Sequence, residues 1–405
     1  MIPLQLLTEE TAEAKATPPV FSVGFRPFFL GASLFAVVGM VLWMAMYIGG
    51  WVPRLSGISP VHWHAHEMIY GYGMAVIAGF LLTAVRRWTH LPTADGWMLA
   101  GLFGAWALAR IMPFVAIPYR LVMMALFDLV FCIGLIGVVL RPIHRTRQWK
   151  QMGILAKLIT LGVGNALFYA GALGWVEGGV RFSIYMGLYL VVALIIAMGR
   201  RIIPPFIEVG LRTPVRLKNW RWVDVSNLVF FLLFFVLEVF TPWKVPAAIV
   251  ALLLFGVQGV RLYGWYTPGM WRKPLSWSLY VAYMWIVIGF LLYAGAVFKG
   301  WSPYLAVHAF AMGGIGVVTL SMMIRVSLGH TGRAVLEPPR SVGLFIGLLV
   351  VGVVVRVILP LFWPEEYVYW IFIAQVLWIS AFGGFFWQFL PVWVQPAVQS
   401  SYRRV

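Results

Sequence analysis

The chain has 405 residues, 62% of them hydrophobic and 11% charged, with a mean hydropathy of +0.90. A soluble domain is roughly 45–50% apolar and about 25% charged, so this composition excludes a water-soluble globular enzyme, a disordered chain and a disulfide scaffold, and predicts an integral membrane protein. The 30 Lys and Arg against 13 Asp and Glu give a net charge of +17, but no compact basic domain is present to hold a phosphate backbone, so a nucleic-acid partner is excluded.

Residues 1–25 carry Glu9, Glu10 and Glu13 and lack a basic n-region and a small-residue cleavage site, which predicts a cytoplasmic N-terminal segment and not a cleaved signal peptide. Runs of about 20 apolar residues between charged or Pro-rich breaks then mark twelve spans. They lie near 26–49, 66–85, 97–113, 119–140, 153–175, 181–199, 223–240, 245–264, 277–298, 304–325, 341–362 and 367–390. The expected fold is all-α, a polytopic transmembrane bundle of about twelve helices over 26–390, with a long loop near 200–222 between its halves and a tail at 391–405. With residues near a span end counted with the adjoining side, 22 of the 30 basic residues fall at the termini and even-numbered loops, 5 at odd-numbered loops and 3 deeper within spans. By the positive-inside rule this places both termini in the cytoplasm. The basic runs at Arg141, Arg145, Arg147 and Lys150, and from Arg200 to Arg221, read as topology signals with attraction to anionic membrane lipid. The single cysteine, Cys132, lies in an apolar run and reads as a small packing residue.

Four of the seven histidines gather at the face that this topology makes external. His62, His64 and His66 stand at the mouth of span 2, followed by Glu67, and His308 stands at the outer end of span 10. Three imidazoles in five residues, with an acid able to orient a ring nitrogen, suit haem iron or copper. On a continuous helix His62 and His66 share a face while His64 points about 200° away, so all three converge only if the segment is partly non-helical. Spans 2 and 10 also match locally, His64-Ala65-His66-Glu67-Met68 against His308-Ala309-Phe310-Ala311-Met312. Met68 and Met312 are thioether candidates, although packing is the commoner role of methionine. His330, about 33 Å along a helix from His308, belongs instead to a cytoplasmic-side cluster with Arg26, Arg86, Arg87, Arg325 and Arg333 that could hold an anion or cofactor. His90 and His144 lie in basic loops.

Charges within a bilayer are costly and mark function unless paired. Asp128 lies near the middle of span 4, Glu238 near the outer end of span 7, and Arg110 and Arg356 toward the outer ends of spans 3 and 11. Acid–arginine pairing is the plain account. In the sharper one an arginine, Arg110 or Arg356, binds haem propionates while Glu67, Glu238 or Asp128 handles protons.

Three segments carry a family likeness: Gly24-Phe25-Arg26-Pro27-Phe28-Phe29, Trp63-His64-Ala65-His66-Glu67-Met68 running into Gly79-Phe80-Leu81-Leu82-Thr83-Ala84, and Arg325 through Arg333. With them the chain resembles the NnrS family of bacterial membrane proteins. The resemblance implies a twelve-helix, haem- and copper-containing inner-membrane protein of the nitric oxide response, often alongside denitrification. Its motif histidines fall on His64, His66, His308 and His330; His62 lies outside the motif, and the family's usual Pro-Arg-x-Asp-Gly ending is absent here. The arrangement is also similar to haem-copper oxidases and nitric oxide reductases, which hold a bis-histidine haem between helices 2 and 10. That implies a b-type haem clamped by His64 or His66 and His308, and copper on whichever of His62, His64 and His66 the haem leaves. The oxidases draw further metal ligands from helices 6 and 7, and the matching spans here contain no histidine.

The expected function is binding of nitric oxide or metal-nitrosyl species at an outer-facing site, with protection against nitrosative stress, an electron donor as partner, and nitric oxide as the substrate of any oxidoreductase activity. Two alternatives compete: a secondary transporter using the intramembrane charges, and a divergent membrane nitric oxide reductase. Against transport stand the lack of a convincing inverted repeat and the clustering of histidines at one face.

Overall fold

A computed structural model of the chain describes residues 18–53, 55, 57–211 and 215–397. Glu9, Glu10, Glu13, Arg212 and the tail from Ser400 to Val405 lie outside the described residues. Lipid offers no hydrogen bonds, so each apolar run satisfies its backbone internally as a helix. Among the described residues, twelve helices long and apolar enough to span a membrane result: α1 (Phe25–Tyr47), α2 (Pro60–Thr89), α3 (Gly96–Phe114), α4 (Arg120–Arg145), α5 (Trp149–Ala172), α6 (Gly179–Leu211), α7 (Arg221–Phe240), α8 (Lys244–Trp265), α9 (Pro274–Lys299), α10 (Pro303–Gly329), α11 (Ser341–Phe362) and α12 (Pro364–Val394). The expected all-α, twelve-span, multi-pass architecture is therefore present.

Consecutive helices pack in antiparallel order and the bundle closes where α12 lies on α1, the Trp378 indole N–H donating to the Ala36 carbonyl at 2.9 Å. Both described chain ends meet at one end of the bundle. There Arg26 Nη1 donates to the carbonyls of Gln395 (2.6 Å), Pro19 (3.2 Å) and Trp393 (3.4 Å). The opposite end is called distal below. Of the twelve helices α2 is the most enclosed, and it meets α10 directly where Tyr72 and Thr319 share a hydrogen bond of 2.6 Å.

Two boundaries differ from expectation. Span 2 begins six residues earlier, because Ser59 caps the His62 N–H and Pro60 supplies a first-turn residue that needs no donor, so all three clustered histidines lie within the helix. Span 6 continues through Arg200, Arg201 and the Pro204-Pro205 pair to Leu211, so the segment expected as a long loop near 200–222 is helical over its first half.

Both α2 and α10 widen into π-helical turns, over Glu67–Gly73 and Ala309–Gly316. Each lies immediately beyond the histidines. The widening goes with close packing of small residues: a Cβ on Gly313 would lie 2.6 Å from Trp285, and one on Gly316 would lie 2.9 Å from Trp378. Single π turns inside α-helices occur often at functional sites, since they re-aim the side chains on either side.

Candidate functional site

The three clustered histidines separate. Because Pro60–His66 is a continuous α-helix, His62 is exposed at the distal surface, His64 faces α1 and α10, and His66 is fully buried on the opposite side. The expected three-imidazole copper cluster is thus not assembled, for the geometric reason that residues two apart on a helix diverge. No group of three or more His, Cys, Asp or Glu placed to hold a metal occurs among the described residues.

His66 instead enters a buried network drawn from α2, α3, α4 and α5. Its Nδ1 lies 3.1 Å from Glu67 Oε1, and its Nε2 lies 2.9 Å from Asn165 Oδ1 and 3.7 Å from Asp128 Oδ2. Arg110 pairs with both acids, Nη2 at 2.5 Å from Asp128 Oδ1 and Nη1 at 3.0 Å from Glu67 Oε2. The Tyr169 hydroxyl donates to Asp128 Oδ2 at 2.6 Å. Gly71 makes room for the ion pair, since a Cβ there would lie 2.5 Å from Arg110 Nη1 and 2.8 Å from Glu67 Oε2. Both ring nitrogens of His66 are engaged, and Arg110 is committed to Glu67 and Asp128. Neither group faces His64 or His308.

His64 and His308 form the second constellation. The His64 ring stacks on the Trp43 indole, with centroids 4.5 Å apart and planes 8° apart, and its Nδ1 is buried without a hydrogen bond. On His308, Nδ1 is held at 2.8 Å by the Tyr304 carbonyl one turn earlier, so it carries the proton and Nε2 is the nitrogen with the lone pair. Both imidazoles lie within electrostatic reach of Arg356 and His308 within reach of His64. Arg356 donates from Nη2 to the Tyr367 hydroxyl at 2.9 Å and lies over that ring, while Nη1 is buried without a hydrogen bond.

The two halves of this site are built alike. Met68, four residues after His64, ends against Gly39 of α1, and Met312, four after His308, ends against Gly352 of α11, with Cε 3.3 and 2.9 Å from where a Cβ would stand. Four residues along α1 from Gly39 is Trp43, against His64. Four along α11 from Gly352 is Arg356, beside His308. Each thioether seats its helix in a glycine notch and thereby levels a histidine with its neighbour.

The remaining expected residues lie elsewhere. Glu238 is paired with Lys244 at 2.8 Å and accepts a hydrogen bond from Tyr293. At the terminal end, Arg26 neighbours Arg333, and the His330 ring packs 5.9 Å from Phe25. Arg325 is turned away from them, donating to the Leu275 carbonyl at 2.9 Å and lying 4.2 Å over Phe206, and Arg86 is exposed. A second buried polar network was not expected: Arg261 joins Asp224 (2.8 Å) and Tyr283 (3.1 Å), Tyr283 donates to Gln258, Gln258 to Asn227, and Arg200 pairs with Asp224. Its sequence signal was Arg261 inside an apolar run. Asn165 and Tyr169, central to the first network, carried none.

Two outcomes follow. Asp128→Ala leaves Arg110 without its closest partner and is expected to cost about 3–5 kcal/mol, read from unfolding of the purified protein in detergent; a loss under about 1 kcal/mol contradicts the ionised pairing. Although His330 reaches the surface, partial desolvation of its ring against Phe25, reinforced by the Arg87 charge, holds the imidazole below its ordinary range. The unfolded chain therefore takes up that proton more readily, so stability is full above about pH 6.5 and falls as the pH drops through the ordinary imidazole range. Melting temperatures between pH 7.5 and 5 should show this fall, and His330→Gln should flatten it.

A model of one family, described as NnrS protein, matches residues 19–397. Comparison with curated proteins gives no match.

Proposed function

The chain belongs to the NnrS family, which fits a multi-pass membrane protein of the nitric oxide response, and from that premise we propose that the His64–His308–Arg356 site holds a haem and takes nitric oxide as its ligand. The observation that carries this reading is that two buried polar atoms at this site, His64 Nδ1 and Arg356 Nη1, have no hydrogen-bond partner, beside His308, whose Nδ1 alone is taken up by the Tyr304 carbonyl. A buried donor or acceptor without a partner costs about 1–3 kcal/mol, which a bound group would recover.

The donor set fits a haem. His64 of α2 and His308 of α10 would hold it through imidazole nitrogens, and the Arg356 guanidinium suits a propionate. Copper fits less well, since the third imidazole it would take from His62 or His66 faces elsewhere. When bound, the haem supplies an iron with affinity for nitric oxide; the rest is the work of this chain. His308 is the fixed ligand, because the Tyr304 carbonyl sets its tautomer and ring angle. His64, stacked on Trp43 and with Nδ1 making no hydrogen bond, would be the less firmly held of the two imidazoles. Arg356, braced by Tyr367, fixes the orientation of an anionic edge. The ion pairs with Arg110 hold Glu67 and Asp128 in their own network, so neither carboxylate is assigned a proton-carrying role at this site. Ligand binding with protection against nitrosative stress at a bacterial inner membrane is accordingly favoured over turnover.

The absorption spectrum of the purified protein tests this. A Soret band is expected, lost in His308→Ala but kept and shifted in His64→Ala, which should bind nitric oxide at least about tenfold faster. Well-folded protein without haem, or equal loss in both variants, would count against the proposal.

A further inference from the structure

A groove of about 470 Å³ opens on the flank of the bundle near its terminal end, between α3, α4 and the 91–95 loop. This lies within the roughly 300–1,000 Å³ of ligand pockets. Its floor is one stripe of α4: Gly134, Gly137, Val138, Arg141 and Arg145 recur at helical spacing from the apolar interior of the span to its polar end. Met98 of α3 forms the opposite wall. Gly137 is exposed, and a Cβ there would meet nothing within 4 Å, so the trough is open toward the hydrocarbon.

The polar end is cationic. Arg141 and Arg145 are both exposed, stand one turn apart, and make no hydrogen bond or ion pair among the described residues. Asp95 stands across from them at the N-cap of α3, where its side chain makes no capping bond, so the free N–H groups of that helix's first turn also face the groove mouth. Pro142 has no N–H to give the Val138 carbonyl, which leaves a second acceptor in the lining beside Asp95. The exposed indoles of Trp97 and Trp149 flank this level, as expected of residues at the headgroup boundary.

We propose that this groove is a specific site for an anionic phospholipid with hydroxyls on its headgroup, such as phosphatidylglycerol. An acyl chain lies in the trough over Gly134 and Gly137. The phosphate sits between Arg141 and Arg145, and the headgroup hydroxyls donate to Asp95 and the Val138 carbonyl. Two cations against one carboxylate select a net negative lipid over a zwitterionic one.

Native mass spectrometry of the purified full-length protein, titrated with phosphatidylglycerol or phosphatidylethanolamine, tests the assignment. Phosphatidylglycerol should be retained the more tightly. Arg141→Gln and Arg145→Gln should each weaken it about fivefold, and the pair roughly thirtyfold. Gly137→Leu, a change that meets only open space, should abolish tight retention while leaving the melting temperature unaltered. Equal retention of the two lipids, undiminished binding in Gly137→Leu, or displacement by an equal concentration of soluble glycerol phosphate would each overturn it.

Discussion

Two carboxylates, a guanidinium and an imidazole lie in contact inside the bundle: Glu67, Asp128, Arg110 and His66 are each at most 6% exposed. Each ion carries several kcal/mol of desolvation cost, repaid only where the partners are held in register, so the rotation of α2 about its axis is fixed by chemistry as well as by packing. Helix geometry then determines the rest. With His66 turned toward α4 and α5, His64 must turn the other way, onto Trp43 and toward α10. Gly71 allows the ion pair to approach the backbone, and the π turn over Glu67–Gly73 lets the helix resume its ordinary packing below.

The same construction recurs across the site. α10 carries its own π turn, its own histidine at the turn's start and its own methionine seated in a glycine notch, with Arg356 standing where α1 has Trp43. That one difference makes the two sides chemically unequal. An aromatic face and an unanchored imidazole lie on one side, a guanidinium and a carbonyl-anchored imidazole on the other. On the haem reading proposed above, this inequality assigns the guanidinium to a propionate and leaves the less anchored imidazole on the opposite side.

Much of this was legible in the sequence. All twelve spans could be read because span length is a one-dimensional property, set by bilayer thickness and the absence of charge. The matching of His64 to His308 and of Met68 to Met312 was visible too, since a helix turns local spacing into a shared face. Pairing of distant residues was not. Asn165 and Tyr169 are unremarkable in an apolar run, and only the fold shows that they complete the coordination of His66 and Asp128. The direction of the three histidines depended on where α2 begins. Ser59-Pro60 is the start signal that decides it, and reading the span from residue 66 left open a convergence that the helix forbids. Arg110 and Arg356 looked alike from their positions near span ends. One is ion-paired with two acids, and the other has no acid partner among the described residues and lies within electrostatic reach of the histidines.

The central claim is that α2 is oriented by its buried ions, so that His64 and not His66 meets α10. Low-temperature electron paramagnetic resonance of the oxidised, haem-loaded protein tests this most directly, comparing His64→Gln with His66→Gln. The parent protein should give a low-spin ferric signal, His64→Gln should convert it to high spin, and whatever fraction of His66→Gln folds should keep the low-spin signal unchanged. A signal that changes with His66 and is indifferent to His64 would contradict it.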